Sequence, residues 1–559
     1  MFFMNNSFII KDVNFNASNY GIEDYLNNWP MLYILENGSK AYVGQTNSIT
    51  KRMNQHKDSE SKQIFTKAHF IYFDKSNQSA TFDYESRLIS LMVADNKFIL
   101  TNLNAGLSGV QYYNKDFYDS AFRDLWEQLR TKNLADKTIE ELEQSDLFKY
   151  SPYKQLSTDQ RNLVTEISEN LSRSLNRKIV INGMPGSGKT ILAIYLFKFL
   201  RMSPNFSNLQ LGFVVPPTSL RTTIKRVFKS INGLSEKDVI GPTDIAKQKY
   251  DIVLVDEAHR LKMRKNLSSY SFYDQACKQI GLDTSATQLD WILKQSKCAI
   301  IFYDKKQIVY PQGLRIDNLI SNDITDTRST SFYTLTSQMR CLGGLPYLED
   351  IDKLLNNKLN SKVRTDEYEL FIVENFNNFE KILFEKEEKF GLSRMIAGYA
   401  WEWKSKNDKK SFDISLDGLK RKWNSTLDNW VNSKNAITEV GCIHSIQGYD
   451  LNYGFVIIGN DLKYDPDEKK VCIDRNSYFD KYGKNNTTDE ELEEYIKNIY
   501  YVLLTRGIKG TYLYICDDKL RNYMCQFIEI YNNKTSSVEY SSQSDYGLLQ
   551  VAEQSPKYE

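Results

Sequence analysis

The chain has 559 residues, 41% hydrophobic and 26% charged, with 72 basic against 71 acidic side chains. Such length and composition indicate a globular protein of two to four domains and exclude a surface that is basic throughout. Seven cysteines without a CxxC pair exclude a zinc knuckle or a disulfide scaffold and fit a reducing cytoplasm. No apolar run reaches the roughly 18 residues of a membrane span. The N-terminal stretch lacks the basic segment of a signal peptide. Abundant Asn, Lys and Tyr suggest an AT-rich bacterial genome.

In chain order, residues 31–104 alternate short apolar runs with helical patterns, which predicts a small α/β unit over residues 1–110. Lysine plus arginine number ten there and aspartate plus glutamate ten, so this unit has no basic field of its own. From residue 113 to about 148 apolar residues fall three and four apart, which predicts a helical connector over 111–150 that packs on something. After a Ser-Pro break, strand-like runs recur: KIVING, LGFVVP, DIVLVDE, CAIIFYD, EVGCIHSI, YGFVIIG and TYLYICD. Continuous apolar strands separated by helical stretches belong in parallel sheets covered on both faces. The Ser-rich end, 533–559, is expected to be a mobile tail.

The strongest local signal is GMPGSGKT, residues 183–190, between the strand KIVIN and the apolar helix TILAIYLFKFL. Its glycines (Gly183, Gly186, Gly188) let backbone N–H groups curl around phosphates, and the helix N-terminus adds positive potential. Lys189 is expected on the β- and γ-phosphates of ATP and Thr190 on Mg²⁺. A phosphate loop needs an acidic partner at a neighbouring strand end. IVLVDEAH supplies Asp256 for Mg²⁺ and Glu257 to polarise the attacking water.

Further motifs follow in the order of superfamily 1 helicases, which the stretch 155–517 resembles. LSTDQ places Gln160 where that family reads adenine, and IIFYDKKQ offers Asp304 and Gln307 as γ-phosphate couplers. LTSQMRC places Gln338 and Arg340 at the first arginine finger, and YVLLTRGIKG places Arg506 at the second. IHSIQGYD is similar to the motif that joins the ATP site to the strand-binding groove. RMIAGYAWEW, CIHSIQGYDLNYGFVIIGNDLKYD and NIYYVLLTRGIKGTYLYICDD narrow the resemblance to the bacterial helicases related to the Schlafen group 3 domain. That implies two RecA-like domains, 151–330 and 331–532, with ATP at their interface. Tyr399, Trp401 and Trp403 offer stacking faces for bases, although core packing is the expected fate of any one of them.

The N-terminal unit resembles the GIY-YIG nuclease domain. PMLYIL holds Tyr33, and nine residues on comes Tyr42 in YVG. Arg52 follows ten residues later, His56 one helical turn beyond, then Glu85 in a helical pattern, and Asn102 and Asn104 close the unit. The resemblance implies Arg52 as the cation for a pentacovalent phosphate and Glu85 as the lone metal ligand. It makes Tyr33 or Tyr42 the general base, with a phenol pKa lowered by the nearby cation, and His56 a proton relay. Two positions depart from the family: Met31-Leu32 replace Gly-Ile, and Gln45 stands where many members carry Lys. Of four histidines, three (His56, His259, His444) fall inside proposed motifs.

These readings predict an ATP-dependent nucleic-acid motor fused to a metal-dependent endonuclease, acting on phage or plasmid DNA, with repair as the other setting. Two other readings stay open: an ATP-switched binding protein with an inactive nuclease domain, and an RNA-directed nuclease. Phosphates look alike to both sites, so DNA is not separated from RNA by the motifs.

Overall fold

The computed structural model describes residues 8–102, 112–143, 145–150, 156–267, 269–315, 329–338, 340–365, 367–426, 430–446 and 449–532. The expected tail at 533–559, the Ser-Pro break at 151–152 and Asn104 lie outside the described residues. Two compact units emerge: Met1–Arg173 with Thr190–Phe213 and Arg221–Ile240, and Ser174–Lys189 with Val214–Leu220 and Gly241–Glu559.

The first unit opens with a five-stranded sheet built from β1 (Ile9–Asn14), β2 (Met31–Glu36), β3 (Lys40–Thr46), β4 (Lys67–Tyr72) and β5 (Ile99–Leu100). Their order is β1-β4-β2-β3-β5, antiparallel except for β3 with β5. β2 is buried along its whole length, as a central strand must be. Helix α1 (Ile49–Lys57) follows β3. Helix α2 (Gln78–Asp95) begins at Asn77, whose side chain accepts the Ala80 N–H at 2.8 Å, and ends at Asn96 in the left-handed region. Helix α3 (Lys115–Thr131) falls within the stretch 111–150. Its buried Tyr118, Phe122 and Trp126 repeat every four residues. They lie against α2: the Tyr84 hydroxyl donates to the Tyr118 carbonyl at 2.5 Å, and Arg87 pairs with Asp119 at 2.6 Å.

The chain continues through β6 (Arg177–Gly183), β7 (Leu211–Val214), β8 (Val239–Ile240), β9 (Tyr250–Val255), β10 (Ser296–Tyr303) and β11 (Ser329–Leu335). Within the second unit β11, β6, β10 and β9 lie side by side, all parallel. Ile252, Val253, Leu254 and Val255 of β9 are completely buried, each contributing about 1.5–3 kcal/mol of hydrophobic stabilisation. A second parallel sheet uses β12 (Glu369–Ile372), β13 (Ser393–Ala397), β16 (Val440–Cys442), β17 (Leu451–Ile458), β20 (Gly507–Ile515) and β21 (Glu529–Ile530). Its order is β16-β13-β17-β20-β12-β21, and the hairpins β14–β15 (Ile414–Leu416, Leu419–Arg421) and β18–β19 (Leu462–Asp465, Lys470–Ile473) stand apart from it. The sequence motifs therefore sit at the ends of parallel strands, where α/β folds bind ligands. Among the described residues no helix is long and apolar enough to cross a membrane. All seven cysteines are free.

Candidate active sites

β6 ends at Gly183, and the helix Lys189–Met202 starts six residues later. Gly186 (φ +84°) and Gly188 (φ +77°) adopt the left-handed backbone that bends the loop. A Cβ on Gly186 would lie 2.1 Å from Gln338 Oε1 and 2.8 Å from Arg340 Cβ, so only glycine admits these neighbours. The Gln338 amide donates to the Pro185 carbonyl at 2.7 Å, and its oxygen accepts the Arg340 N–H at 2.7 Å. Gln338 thereby ties the first-finger segment to the loop. Lys189 Nζ donates to the Gly183 and Met184 carbonyls at 2.5 and 3.0 Å and pairs with Asp304 at 3.3 Å. Gln307 donates to the same Asp304 oxygen at 2.8 Å. A buried ammonium curled onto its own loop carbonyls beside one carboxylate is a cation positioned for an incoming anion, and the narrow glycine loop fits a polyphosphate.

Asp256 and Glu257 follow β9. Asp256 is wholly buried, and its N–H donates to the Val214 carbonyl at 3.0 Å. Glu257 takes φ +51°, a strained conformation for a residue with a Cβ and one that gathers at functional sites. Its carboxylate lies 2.9 Å from Nε2 of the buried His259. Burial pushes the Glu257 carboxyl up, but the charges of His259, Lys189 and Arg260 outweigh it and hold it below the usual range. Next along, Arg260 Nη1 lies 3.4 Å from His444 Nδ1 and its guanidinium 5.3 Å from the Tyr310 ring centre. Burial first, then the charges of Arg260 and Lys262, lower His444 to about 3, so it is neutral. Tyr399 packs 5.6 Å from that imidazole and 5.8 Å from Trp423. Trp401 also lies against Trp423, and Tyr399, Trp401 and Trp403 pack, partly buried, against the core of the second parallel sheet.

Arg340 forms an ion pair with Asp450 at 2.5 Å. Arg506 is 2% exposed and donates from Nη1 to the neighbouring Tyr449 carbonyl at 3.1 Å. Both proposed fingers thus converge on one short segment, Tyr449–Asp450, although Gln447 and Gly448 before it are not described. The one sign of Asp450 in the sequence is its acidic type within IHSIQGYD. Thr190 is the second residue of its helix. In the first unit Gln160 is buried, and its side-chain oxygen accepts the Ser157 N–H at 3.1 Å, a reciprocal cap at a helix start.

The tyrosine cluster is built by register. Tyr33 stands opposite Gly44 and Leu35 opposite Tyr42, which puts both tyrosines on one sheet face with ring centres 6.2 Å apart. A Cβ on Gly44 would fall 2.3 Å from the Tyr33 hydroxyl; the glycine of YVG is the space that ring occupies. On α1, Arg52 Nε donates to the Tyr33 hydroxyl at 3.1 Å, and that oxygen lies 2.8 Å from His56 Nε2. Because the guanidinium only donates, the Tyr33 proton is free to point at His56. From α2, Glu85 accepts the Gln45 backbone N–H. Asn102 clasps β3 through the Val43 N–H and carbonyl at 3.0 and 2.8 Å.

The expected lowering of a phenol pKa does not occur. Burial raises both Tyr33 and Tyr42, and Arg52 offsets only part of the rise. Burial and then Arg52 lower His56 to about 4, so at neutral pH the phenol keeps its proton and the imidazole is free to accept one. Burial also raises Glu85 to about 7 against the pull of Arg52. Among the described residues no three His, Cys, Asp or Glu side chains gather as a ready metal cage.

Parallel sheets, a glycine-bent phosphate loop and a carboxylate pair at a strand end define a P-loop nucleotide-binding motor, here joined to a small α/β domain of nuclease type. Residues 176–517 match the Schlafen group 3, DNA/RNA helicase domain, and residues 30–97 the GIY-YIG catalytic domain. The first match spans more than half of the chain, and the protein belongs to the Schlafen group 3 helicase family, carrying a GIY-YIG nuclease domain ahead of the motor. A Saccharomyces cerevisiae relative, uncharacterized protein YPL245W, is 27% identical over 389 residues, 61% of this chain and 82% of its own length. Among solved structures, the Pif1 helicase of Candida albicans is similar at 10% identity and a TM-score of 0.28, over 64% of this chain and 95% of its own. A DEAD box protein of Methanococcus jannaschii is similar at 13% identity and a TM-score of 0.27, over 72% of this chain and 98% of its own.

Proposed function

We propose that the motor hydrolyses ATP to move along DNA and that the N-terminal domain cuts that DNA, in bacterial defence against phage or plasmid DNA. One observation carries the cleavage reading: Arg52, Tyr33 and His56 form a hydrogen-bonded chain beside Glu85. In this reading the attacking water passes a proton to the Tyr33 oxygen as the Tyr33 proton moves to His56 Nε2. The P–O bond to the leaving oxygen then breaks, and that oxygen takes a proton from solvent. Arg52 holds the charge that builds on the phosphate, and Tyr42 walls the site. In the motor Lys189 binds the β- and γ-phosphates, Glu257 orients water, Gln307 and Asp304 sense the γ-phosphate, and Gln160 reads adenine. Arg340 and Arg506 stabilise transition-state charge. Thr190 and Asp256 in the motor and Glu85 in the nuclease domain would hold Mg²⁺, which would supply charge neutralisation on phosphate oxygens. The defence setting is supported by the pairing of motor and nuclease alone.

The test is incubation of the full chain with plasmid, linear DNA and RNA, with and without ATP and Mg²⁺. ATP-stimulated cutting of long DNA is expected. An ATPase that runs while every polymer stays intact would leave the N-terminal domain a gripping module, and cutting confined to RNA would redirect the substrate.

A further inference from the structure

Beside the tyrosine cluster stands a cation that the reaction just described does not use. Lys62 closes the short turn Glu60–Lys62, and its ammonium lies 3.3 Å from the centre of the Tyr42 ring. It is half-buried, and Phe65 lies 5.9 Å away. Neither Lys62 nor Arg52 forms an ion pair among the described residues, and Lys62 feels the charge of Arg52. Arg52 is held charged by Tyr33 and Tyr42, whereas Lys62 pays for its burial and for the repulsion of Arg52 with no ion pair among the described residues to offset it. Such an arrangement is stable in function when an anion arrives to complete it. The neutral Gln45 nearby adds no charge.

We propose that Lys62 is a second phosphate-binding residue of the nuclease site, gripping the scissile phosphodiester from the Tyr42 side while Arg52 grips it from the Tyr33 side. The proposal rests on the nuclease reading above. Tyr42 then serves as a platform: its ring face holds the ammonium in place before substrate binds. The ammonium is mobile enough on its four-carbon stem to leave the ring for a phosphate oxygen, as a planar guanidinium fixed by Tyr33 and Gln55 is not.

Burial and the charge of Arg52 lower Lys62 to about 8. Its charge is present below that pH and lost above it. In the full chain with Mg²⁺, wild-type cleavage should therefore decline above about pH 8. Lys62→Ala should lower kcat by about 10²-fold at pH 7, as removal of one oxyanion donor does. Lys62→Arg should restore most of that rate and carry the plateau past pH 8, a change that a merely structural lysine would not produce. Equal ATP hydrolysis by all three proteins checks that the chain is folded. Lys62→Ala cleaving within twofold of wild type, or an alkaline decline that survives in Lys62→Arg, overturns the role of Lys62 alone. A wild type that cuts nothing at any pH overturns the nuclease reading and Lys62 with it.

Discussion

The two sites handle positive charge in opposite ways. In the motor two of the site's cations are already matched, Lys189 by Asp304 and Arg340 by Asp450. In the nuclease domain Arg52 and Lys62 form no ion pair among the described residues, and burial raises the Glu85 carboxyl to about 7. A matched site can cycle, because an anion displaces one partner and the partner returns when it leaves. An unmatched site gains most when an anion arrives to complete it. The difference suits an engine that turns over continuously and a cutter that acts on demand.

The largest effects should separate the two sites cleanly. Lys189→Ala removes the charge on the phosphates, and ATP hydrolysis should fall by at least about 10³-fold. Glu85→Ala should do the same to cleavage while ATP hydrolysis stays at wild-type rate, since no neighbouring carboxylate replaces it. The pair also tests coupling: Lys189→Ala should cut long duplex DNA slowly yet leave a short single strand cleaved at the wild-type rate. Equal cutting of both substrates by that variant would show two activities that share only a chain.

The fingers come next. Arg340→Ala should lower turnover by about 10³-fold with little change in ATP affinity, measured by nucleotide binding beside steady-state rates. Arg506→Ala should lower turnover too. It should also lower the melting temperature, because a buried guanidinium leaves the Tyr449 carbonyl without its donor, a cost of about 1–3 kcal/mol. Near-normal turnover in either variant removes that arginine from the site. A smaller loss is expected at Gly44→Ala. The new methyl meets the Tyr33 hydroxyl, so the ring must move away from His56, and cleavage should drop about 10- to 100-fold with ATP hydrolysis unchanged.

How much of this was legible in the sequence follows from how local each feature is. The phosphate loop, the Asp256-Glu257 pair and their strands are contiguous runs, so a strand–loop–helix pattern places them without a fold in hand. The GIY-YIG order was legible too, because Tyr33, Tyr42, Arg52 and His56 lie within 24 residues on a hairpin and the next helix. The protonation states were not. Arg52 alone would lower a phenol, but burial, which depends on Phe65, Met53 and other side chains closing over the cluster, outweighs it. Lys62 was invisible for a similar reason: a lysine in ESKQ carries no pattern, and only the fold brings it over Tyr42. Asp450 lies within the motif IHSIQGYD, yet its partner Arg340 lies 110 residues away.

The smallest effect concerns stability, and it sets the two carboxylates against each other. Glu85 has a folded value of about 7, above the ordinary 4.5, so its ionised form is penalised in the fold. That penalty grows as pH rises from about 4.5 and is complete above 7. Glu257 lies on the other side of the ordinary value, held ionised by His259, Lys189 and Arg260. Its stabilisation is complete above about 4.5 and is lost only as pH falls through its lower folded value. Removing each charge should therefore act in opposite directions at neutral pH. Without metal or nucleotide, Glu85→Gln should raise the melting temperature of its transition at pH 8 and leave it unchanged at pH 4. The gain should be about 1–2 kcal/mol, since a half-buried group is partly screened by solvent. Glu257→Gln should lower the melting temperature at pH 8, and its loss should shrink only toward the acid end. Added Mg²⁺ should cancel the advantage of Glu85→Gln, because a bound cation stabilises the wild-type carboxylate that the amide lacks. Melts that move in the same direction for both variants at pH 8 would show that the two sites do not differ in the way their charges are held.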